Sequence, residues 1–446
     1  MNSREIILKI LIDINANGAY SNISINRHLK NNKNIENENF IREIVYGVIE
    51  NKLYLDYIIS QVSKTKIDKI HSTTLEILRM GVYQIIFMDK IPDRASVNES
   101  VNLSKKYGHK GIAGFVNGVL RNISRNKEKL MEVKKEDKID FLSIKYSYPK
   151  WIIRNWIKEY NYEFTEEILK GDNSRPKLNI RVNTLKINRD KLLDIFSNYG
   201  FNAYKTKYAK DGLIIENPSR INSLEEYKKG YFTIQDESSM LVSQIIDPVE
   251  GYLVLDLCSA PGGKSTHMGQ LMKNNGKIIS RDIYEHKLQL VENNANRLGI
   301  DIIETETFDA IKLDKNLIGK VDYCIIDAPC SGLGIIRRRP EIKWNRIEKD
   351  IEELKNIQWE ILNNAKDYLK IGGIMVYSTC TISKGENENM VEKFLLENKE
   401  FQLVDFYDKF DSKENISNSR EGHIQLFPHI HNTDGFFISK LKKINN

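Results

Sequence analysis

Cysteine is scarce in this chain: Cys258, Cys324, Cys330 and Cys380 are the four among 446 residues. So few thiols exclude a disulfide framework, and a reducing compartment would keep them free. No Cys-x-x-Cys pair occurs. The histidines of PHIH, His429 and His431, have no flanking Cys or Glu to complete a zinc pattern, so no metal is expected. No run of about 18 apolar residues is present, which excludes a helical membrane span and makes a membrane partner unexpected. The start MNSREIILKIL sets charges beside apolar residues and lacks a small-residue cleavage site. A secretory signal is therefore not expected, and a cytoplasmic location is. Charge of one sign is modest: the net value of +6 is compatible with a polyanionic partner without requiring one. The apolar fraction of 41% is ordinary for a globular protein, and the length suits about two to three domains.

The first 125 residues read as helices. Ser3 is a candidate cap for a helix whose apolar face uses Ile6, Ile7, Ile10, Leu11 and Ile14. NFIREIVYGVIEN repeats the pattern at Ile41, Ile44, Val45 and Val48. STTLEILRMGVYQIIFM has Ser72 as a candidate cap and Glu76 in its first turn, and two further helices follow it. An all-α domain of about five or more helices is expected over 1–125. The charged stretch RNKEKLMEVKKEDKID, from 125 to 140, reads as a solvated helix or linker. Beyond it, Tyr148, Trp151, Ile152 and Trp156 share a helical face, PKLNIRVNTLKI alternates like a strand, and KLLDIFSNYG is a helix ended by Gly200. DGLIIEN and GYFTIQDESSMLV suggest further short strands. Linker and small α+β domain together are expected over 126–240.

From 241 to 446 strands and helices alternate, which predicts a doubly wound, mostly parallel sheet with ligands outside the carboxyl ends of its strands. The strand ends collect polar residues: DLCSAPGGKS after the first strand, Asp282 after the second, Asp309 after the third, DAPCSG after the fourth and STC after the fifth. GGKS is not a P-loop, because Cys258 stands where that motif needs its first glycine. The dinucleotide pattern G-x-G-x-x-G is also absent. Gly262 and Gly263 let backbone turn closely around a ligand. Asp282, about 20 residues further on at a strand end, is placed to accept from ribose hydroxyls. A nucleoside without a pyrophosphate fits this combination, and S-adenosylmethionine is such a ligand. Each acid alone fits a cap or turn role equally well.

DLCSAPGGKS, DAPCSGLGIIRRRPEIKW and YSTCTISKGENE, in this order and spacing, resemble the RNA cytosine-C5 methyltransferases with two active-site cysteines. RVNTLK and FTIQDESS resemble the segments that precede the catalytic domain in that family. NFIREIVYGVIEN and ASVNESVNLSKKYGHKGIAGFVNGVLRNI resemble a NusB-like RNA-binding domain. The three-part architecture is similar to that of the bacterial ribosomal RNA methyltransferases called Sun, Fmu or RsmB. Departures are small: Ser259 and Ser265 stand where the family often has Ala and Thr. The resemblance implies a NusB-like all-α domain, a small α+β domain and a Rossmann-like methyltransferase domain.

It further implies a cofactor loop of Cys258, Ser259, Ala260, Pro261, Gly262, Gly263 and Lys264 for S-adenosylmethionine. Asp282 would hold the ribose, Asp309 would lie near the adenine edge, and Asp327 would line the pocket between methyl donor and base. Cys380 would be the nucleophile and Cys330 its helper, whereas Cys324 reads as buried and inert and Cys258 as packing beside the loop. The chemistry suits these residue types. Carbon 5 of cytosine is a poor nucleophile until a thiolate adds at carbon 6, and a thiol is a few per cent ionised at neutral pH. The target base must leave its stack to be reached. Arg337, Arg338, Arg339, Lys343 and Trp344, directly after the Cys330 loop, are candidates to grip RNA, as are Arg181 and Asn183. The expected activity is cytosine-C5 methylation of small-subunit ribosomal RNA by a monomer. The alternatives are a transfer RNA methyltransferase on the same scaffold and a non-catalytic RNA-binding or antitermination factor. The NusB-like extension argues against the first, and the intact cysteine pair against the second.

Overall fold

The computed structural model describes residues 2–32, 37–216 and 221–445, in two compact units. The first unit, Met1–Asn173 with Arg338–Ile347, is helical. Its helices are α1 (Ser3–Asn17), α2 (Ser21–Asn31), α3 (Glu38–Glu50), α4 (Lys52–Ser60), α5 (Ser72–Phe87), α6 (Asp93–Tyr107), α7 (Lys110–Met131), α8 (Lys138–Tyr146), α9 (Lys150–Tyr160) and α10 (Tyr162–Asp172). The apolar periodicity read from the sequence is the buried face: Ile6, Ile7, Ile10, Leu11 and Ile14 of α1 pack in one cluster with Ile41, Ile44, Val45 and Val48 of α3. The caps differ from expectation by one residue. Ser3 and Ser72 are already helical; Asn2 caps α1, accepting from Arg4 N at 3.1 Å, and His71 precedes α5 without a side-chain cap. Glu76 is drawn inward, where it pairs with Arg79 at 2.5 Å. Helices α8–α10 cluster with this unit, and buried Tyr148, Ile152 and Trp156 supply their packing, while Trp151 is half-buried.

The second unit, Ser174–Arg337 with Glu348–Asn446, holds two sheets. The smaller is built from β1 (Leu178–Val182), β2 (Ala203–Lys205), β3 (Gly212–Ile215) and β4 (Phe232–Ile234), ordered β2-β3-β1-β4 and antiparallel throughout, with α11 (Arg189–Asn198) and α12 (Glu225–Lys228) among them. The expected strand character of GYFTIQDESSMLV ends at Ile234. Asp236 then caps α13 (Glu237–Ile246), accepting from Ser238 N at 3.0 Å, so the second half of that stretch is a helix.

The larger sheet begins with β5 (Leu253–Asp256), α14 (Gly263–Leu271), β6 (Lys277–Asp282), α15 (Glu285–Leu298), β7 (Ile303–Thr307) and β8 (Val321–Asp327). The chain then enters the first unit for one turn, α16 (Ile342–Asn345), before α17 (Glu348–Tyr368), β9 (Leu369–Thr379), α18 (Glu388–Glu397), β10 (Phe401–Leu403), β11 (His423–Leu426), α19 (Pro428–His431) and β12 (Phe436–Lys443). The order is β10-β12-β9-β8-β5-β6-β7, with β11 paired to β12. Strands β5 to β9 are mutually parallel; β10, β11 and β12 add antiparallel pairs that sequence reading did not place.

Successive residues of the central strands face opposite layers, as a pleated strand requires. Val254, Ile278, Ile325 and Val376 pack in one buried cluster, and Leu255, Ile279, Ile326 and Tyr377 in the other. Both faces are thus covered, which explains the near-continuous apolar strands. The chain runs outward from β5 to β7, then returns to β8 on the other side of β5. That reversal opens a crevice at the carboxyl ends of β5 and β8.

Candidate active site

The β5–α14 loop occupies one wall of the crevice. Gly262 has φ +95°, and a Cβ there would lie 3.0 Å from the Val291 backbone, so glycine is needed both for conformation and for space. The loop is tied to the next strand by Ser259 N donating to Arg281 O at 2.8 Å, and closed on itself by Gly262 N donating to Ser259 O at 2.7 Å. Ser259 Oγ is buried without a hydrogen-bond partner, a free polar atom beside a helix N-terminus. Beneath the loop Asp256 is fully buried and accepts from Ser265 Oγ at 2.6 Å. Burial pushes its carboxyl up to about 7. Asp282 follows, accepting from Tyr284 N at 3.0 Å, and its carbonyl receives Phe308 N at 3.2 Å, next to Asp309. Asp309 accepts from Ile311 N at 3.3 Å. Both acids therefore use one oxygen in a local turn.

The opposite wall carries the thiols. Cys330 Sγ and Cys380 Sγ are 3.3 Å apart. The Cys330 thiol is held well above its usual range, first by its hydrogen bond to Cys380 and then by burial. Cys324, inside β8, and Cys258, beside the loop, are pushed up by burial first of all, which disfavours their thiolates. Asp327 Oδ2 accepts from Lys264 Nζ at 2.6 Å, and its Oδ1 from Ser378 Oγ at 3.0 Å. This acid links the β5–α14 loop to β9, the strand that leads into Cys380. Backbone pairing locks the thiol loops: Gly334 N donates to Cys380 O at 3.0 Å, and Gly435 N to Gly334 O at 2.8 Å.

A buried acid that sequence reading passed over lies behind the thiols. Glu386 is fully buried; its Oε1 accepts from Ser331 N at 2.9 Å and from Gln358 Nε2 at 3.0 Å, and its Oε2 from Ser331 Oγ at 2.6 Å. Ser331 Oγ also meets Thr381 Oγ1 at 2.8 Å. The signal was present in KGENEN, an acid in a polar run after a strand. Nothing in composition distinguishes it from a solvated one.

Three segments match known families: 1–125 the NusB family, 148–222 a ferredoxin-like domain of RsmF/B-type methyltransferases, and 243–442 the 16S rRNA methyltransferase RsmB/F family. A probable ribosomal RNA small subunit methyltransferase B of Bacillus subtilis is 38% identical, with 99% of this chain and 98% of that one covered. The chain belongs to the RsmB/F family of 16S rRNA methyltransferases. It is thus an S-adenosylmethionine-dependent methyltransferase of small-subunit ribosomal RNA. Among solved structures, PH0851 superimposes with a TM-score of 0.82 at 27% identity, covering 99% of both chains. NSun6 from Pyrococcus horikoshii, solved with SFG, gives a TM-score of 0.60 at 26% identity, covering 67% of this chain and 99% of that one. Among the described residues no helix of this RsmB/F methyltransferase is long and apolar enough to cross a membrane.

The expected RNA contacts are placed differently. In this methyltransferase Arg181 is 1% exposed and donates to Gln235 Oε1, to Gly263 O at 2.5 Å and to Thr266 Oγ1 at 3.0 Å. Asn183 is equally buried and donates to Gly230 O and Leu298 O. Arg337 pairs with Asp434 at 2.8 Å inside the second unit. Lys343 is fully buried in the first unit, donating to Glu50 O at 2.8 Å over the Tyr148 ring, and Trp344 Nε1 donates to Ile49 O. These side chains hold the fold together rather than a solvent-facing RNA surface. The physical reason is that each finds acceptors inside, although Arg181 Nε is left without one. Arg338 is half-buried and Arg339 exposed.

Proposed function

We propose that this RsmB/F enzyme methylates carbon 5 of a cytosine through a covalent adduct on Cys380. The observation that carries the reading is the 3.3 Å approach of two thiols at the carboxyl ends of adjacent strands β8 and β9. Two inert cysteines would have no reason to meet in a polar crevice beside an acid. S-adenosylmethionine, when bound, supplies an electrophilic methyl group. The loop Cys258, Ser259, Ala260, Pro261, Gly262, Gly263 and Lys264, with Asp282 and Asp309, holds it, and the glycine-shaped turn and the unpartnered Ser259 hydroxyl fit such a ligand.

Cys380 Sγ forms a bond to carbon 6 of the cytosine, and the ring's electron density moves toward carbon 5 and nitrogen 3. Asp327, with Lys264 and Ser378 bonded to it, steadies the Watson–Crick edge. Carbon 5 then takes the methyl group as its bond to the donor's sulfonium sulfur breaks, leaving a neutral thioether. Cys330, freed of its contact with Cys380 and with its own proton released to solvent, takes the carbon 5 proton; loss of that proton re-forms the double bond and expels Cys380 as thiolate. Incubating Cys380→Ala with labelled S-adenosylmethionine and ribosomal RNA tests the assignment. Cofactor binding should persist and methylation should vanish; methylation at the parental rate would refute it. Transfer RNA in a parallel arm tests the other substrate reading.

A further inference from the structure

We propose that Glu386 is a positioning residue that clasps the two thiol loops and sets the distance between Cys330 and Cys380. The inference rests on the reading of those thiols as the reacting pair, and adds a residue that touches neither substrate nor cofactor.

The geometry points to it directly. Ser331 follows Cys330 and Thr381 follows Cys380 in the chain. Their hydroxyls meet at 2.8 Å. One carboxylate gathers the backbone N–H and the hydroxyl of Ser331, together with Gln358 Nε2, and Gln358 donates as well to Pro329 O at 2.9 Å in the Cys330 loop. Glu386 O in turn accepts from Tyr377 Oη at 2.7 Å on β9, the strand that delivers Cys380. Its neighbour Asn387 donates to Thr381 O at 3.0 Å and receives Thr379 Oγ1 at 2.5 Å. Residues on both sides of each cysteine are thereby held by one buried polar cluster. A fully buried carboxylate costs several kcal/mol to desolvate. Such a group is retained where its hydrogen bonds fix a geometry that an apolar side chain of equal volume would leave loose.

The test uses the full chain and two readouts. The first is the rate at which diamide, an azodicarboxamide oxidant, couples Cys330 to Cys380. The two thiols lose two electrons and two protons as the S–S bond forms, and the N=N bond of diamide is reduced to a hydrazine; peptide mapping identifies the product. The second is the rate of covalent RNA adduct formation in the Cys330→Ala background. Glu386→Gln keeps the volume but replaces an accepting oxygen with a donor. Thr381→Val keeps the shape and removes one hydroxyl from the edge of the cluster, a smaller disturbance that leaves Glu386 satisfied by Ser331 and Gln358. Both should slow both readouts by about tenfold or more, because a displacement well under 1 Å is enough at a reacting pair. Thr381→Ser should restore parental rates, and affinity for S-adenosylmethionine should not change in any variant. Coupling and adduct formation at or above the parental rate in both Glu386→Gln and Thr381→Val would overturn the clasp. Absence of any adduct in Cys330→Ala alone would instead contradict the covalent reading, and the diamide rates would still decide the clasp.

Discussion

Gly334→Ala should disable the enzyme with little effect on cofactor binding. A Cβ at this position would stand 2.0 Å from Gly435 O and 2.9 Å from Cys380 O, where ordinary contact begins at 3.4 Å. Closing that deficit requires a shift of about 1.4 Å by one of three backbone segments, none of which has a flexible end to give way. All three are hydrogen-bonded through Gly334, so the movement reaches Cys380 whichever segment yields. Overpacking of this kind costs about 1–3 kcal/mol of stability. A displacement of about 1 Å at a reacting group costs about 100-fold in rate. Single-turnover methylation should therefore fall by about two orders of magnitude, while calorimetric titration with S-adenosylmethionine stays close to the parent. Gly114→Ala in α7, whose Cβ meets nothing within 4 Å, is the control and should add about 0.5–1 kcal/mol of stability. Parental methylation by Gly334→Ala would refute the claim that this three-way backbone contact sets the thiol geometry.

Arg181→Ala should weaken S-adenosylmethionine binding by about 10- to 100-fold in a calorimetric titration, since a charge-assisted bond to Gly263 O worth about 1.5–3 kcal/mol is lost from the β5–α14 loop. Acid should loosen the same region: burial, with Arg181 adding to it, pushes His267 down from 6.5 to about 4, close to Asp211 at 3.5 Å. The unfolded imidazole takes up a proton below 6.5 and the folded one only near 4. The associated stability, about 3 kcal/mol, is thus complete above pH 6.5 and lost as pH falls toward 4. Denaturant midpoints measured across that window should show the loss, and His267→Gln should flatten it. In RNA titrations against salt, Lys343→Met should leave the slope of log affinity unchanged, whereas exposed Arg339→Ala should reduce it by about 0.7 if it grips one phosphate. A reduced slope for Lys343→Met would contradict its burial.

The helical faces and the parallel strands were legible because burial and periodicity are largely the same information: Ile6, Ile7, Ile10, Leu11 and Ile14, and Val254, Leu255 and Leu257, are apolar where they pack. The strand-end acids and thiols were legible because an open α/β sheet can build a site only there. Charged side chains were not. Arg181, Arg337 and Lys343 look solvated in a one-dimensional string, and only the fold shows the carbonyls and carboxylates that take them inside. Glu386 was hidden for the same reason. The strands β10, β11 and β12 escaped because antiparallel pairing with β9 is long-range: Phe437 opposes Thr379 across 58 residues that local pattern cannot bridge. Ser3 and Ser72 were named as caps because serine favours that position, although the residue before each holds the capping conformation.

The covalent account is tested most directly by Cys330→Ala. With S-adenosylmethionine and small-subunit ribosomal RNA, Cys380 should still add to carbon 6 and the methyl group should still transfer. The carbon 5 proton then lacks its acceptor, and the enzyme stays joined to its methylated product. Denaturing electrophoresis should show a slow band that ribonuclease removes and that the double variant lacking both thiols cannot form. An adduct in Cys380→Ala with none in Cys330→Ala would contradict the assigned roles.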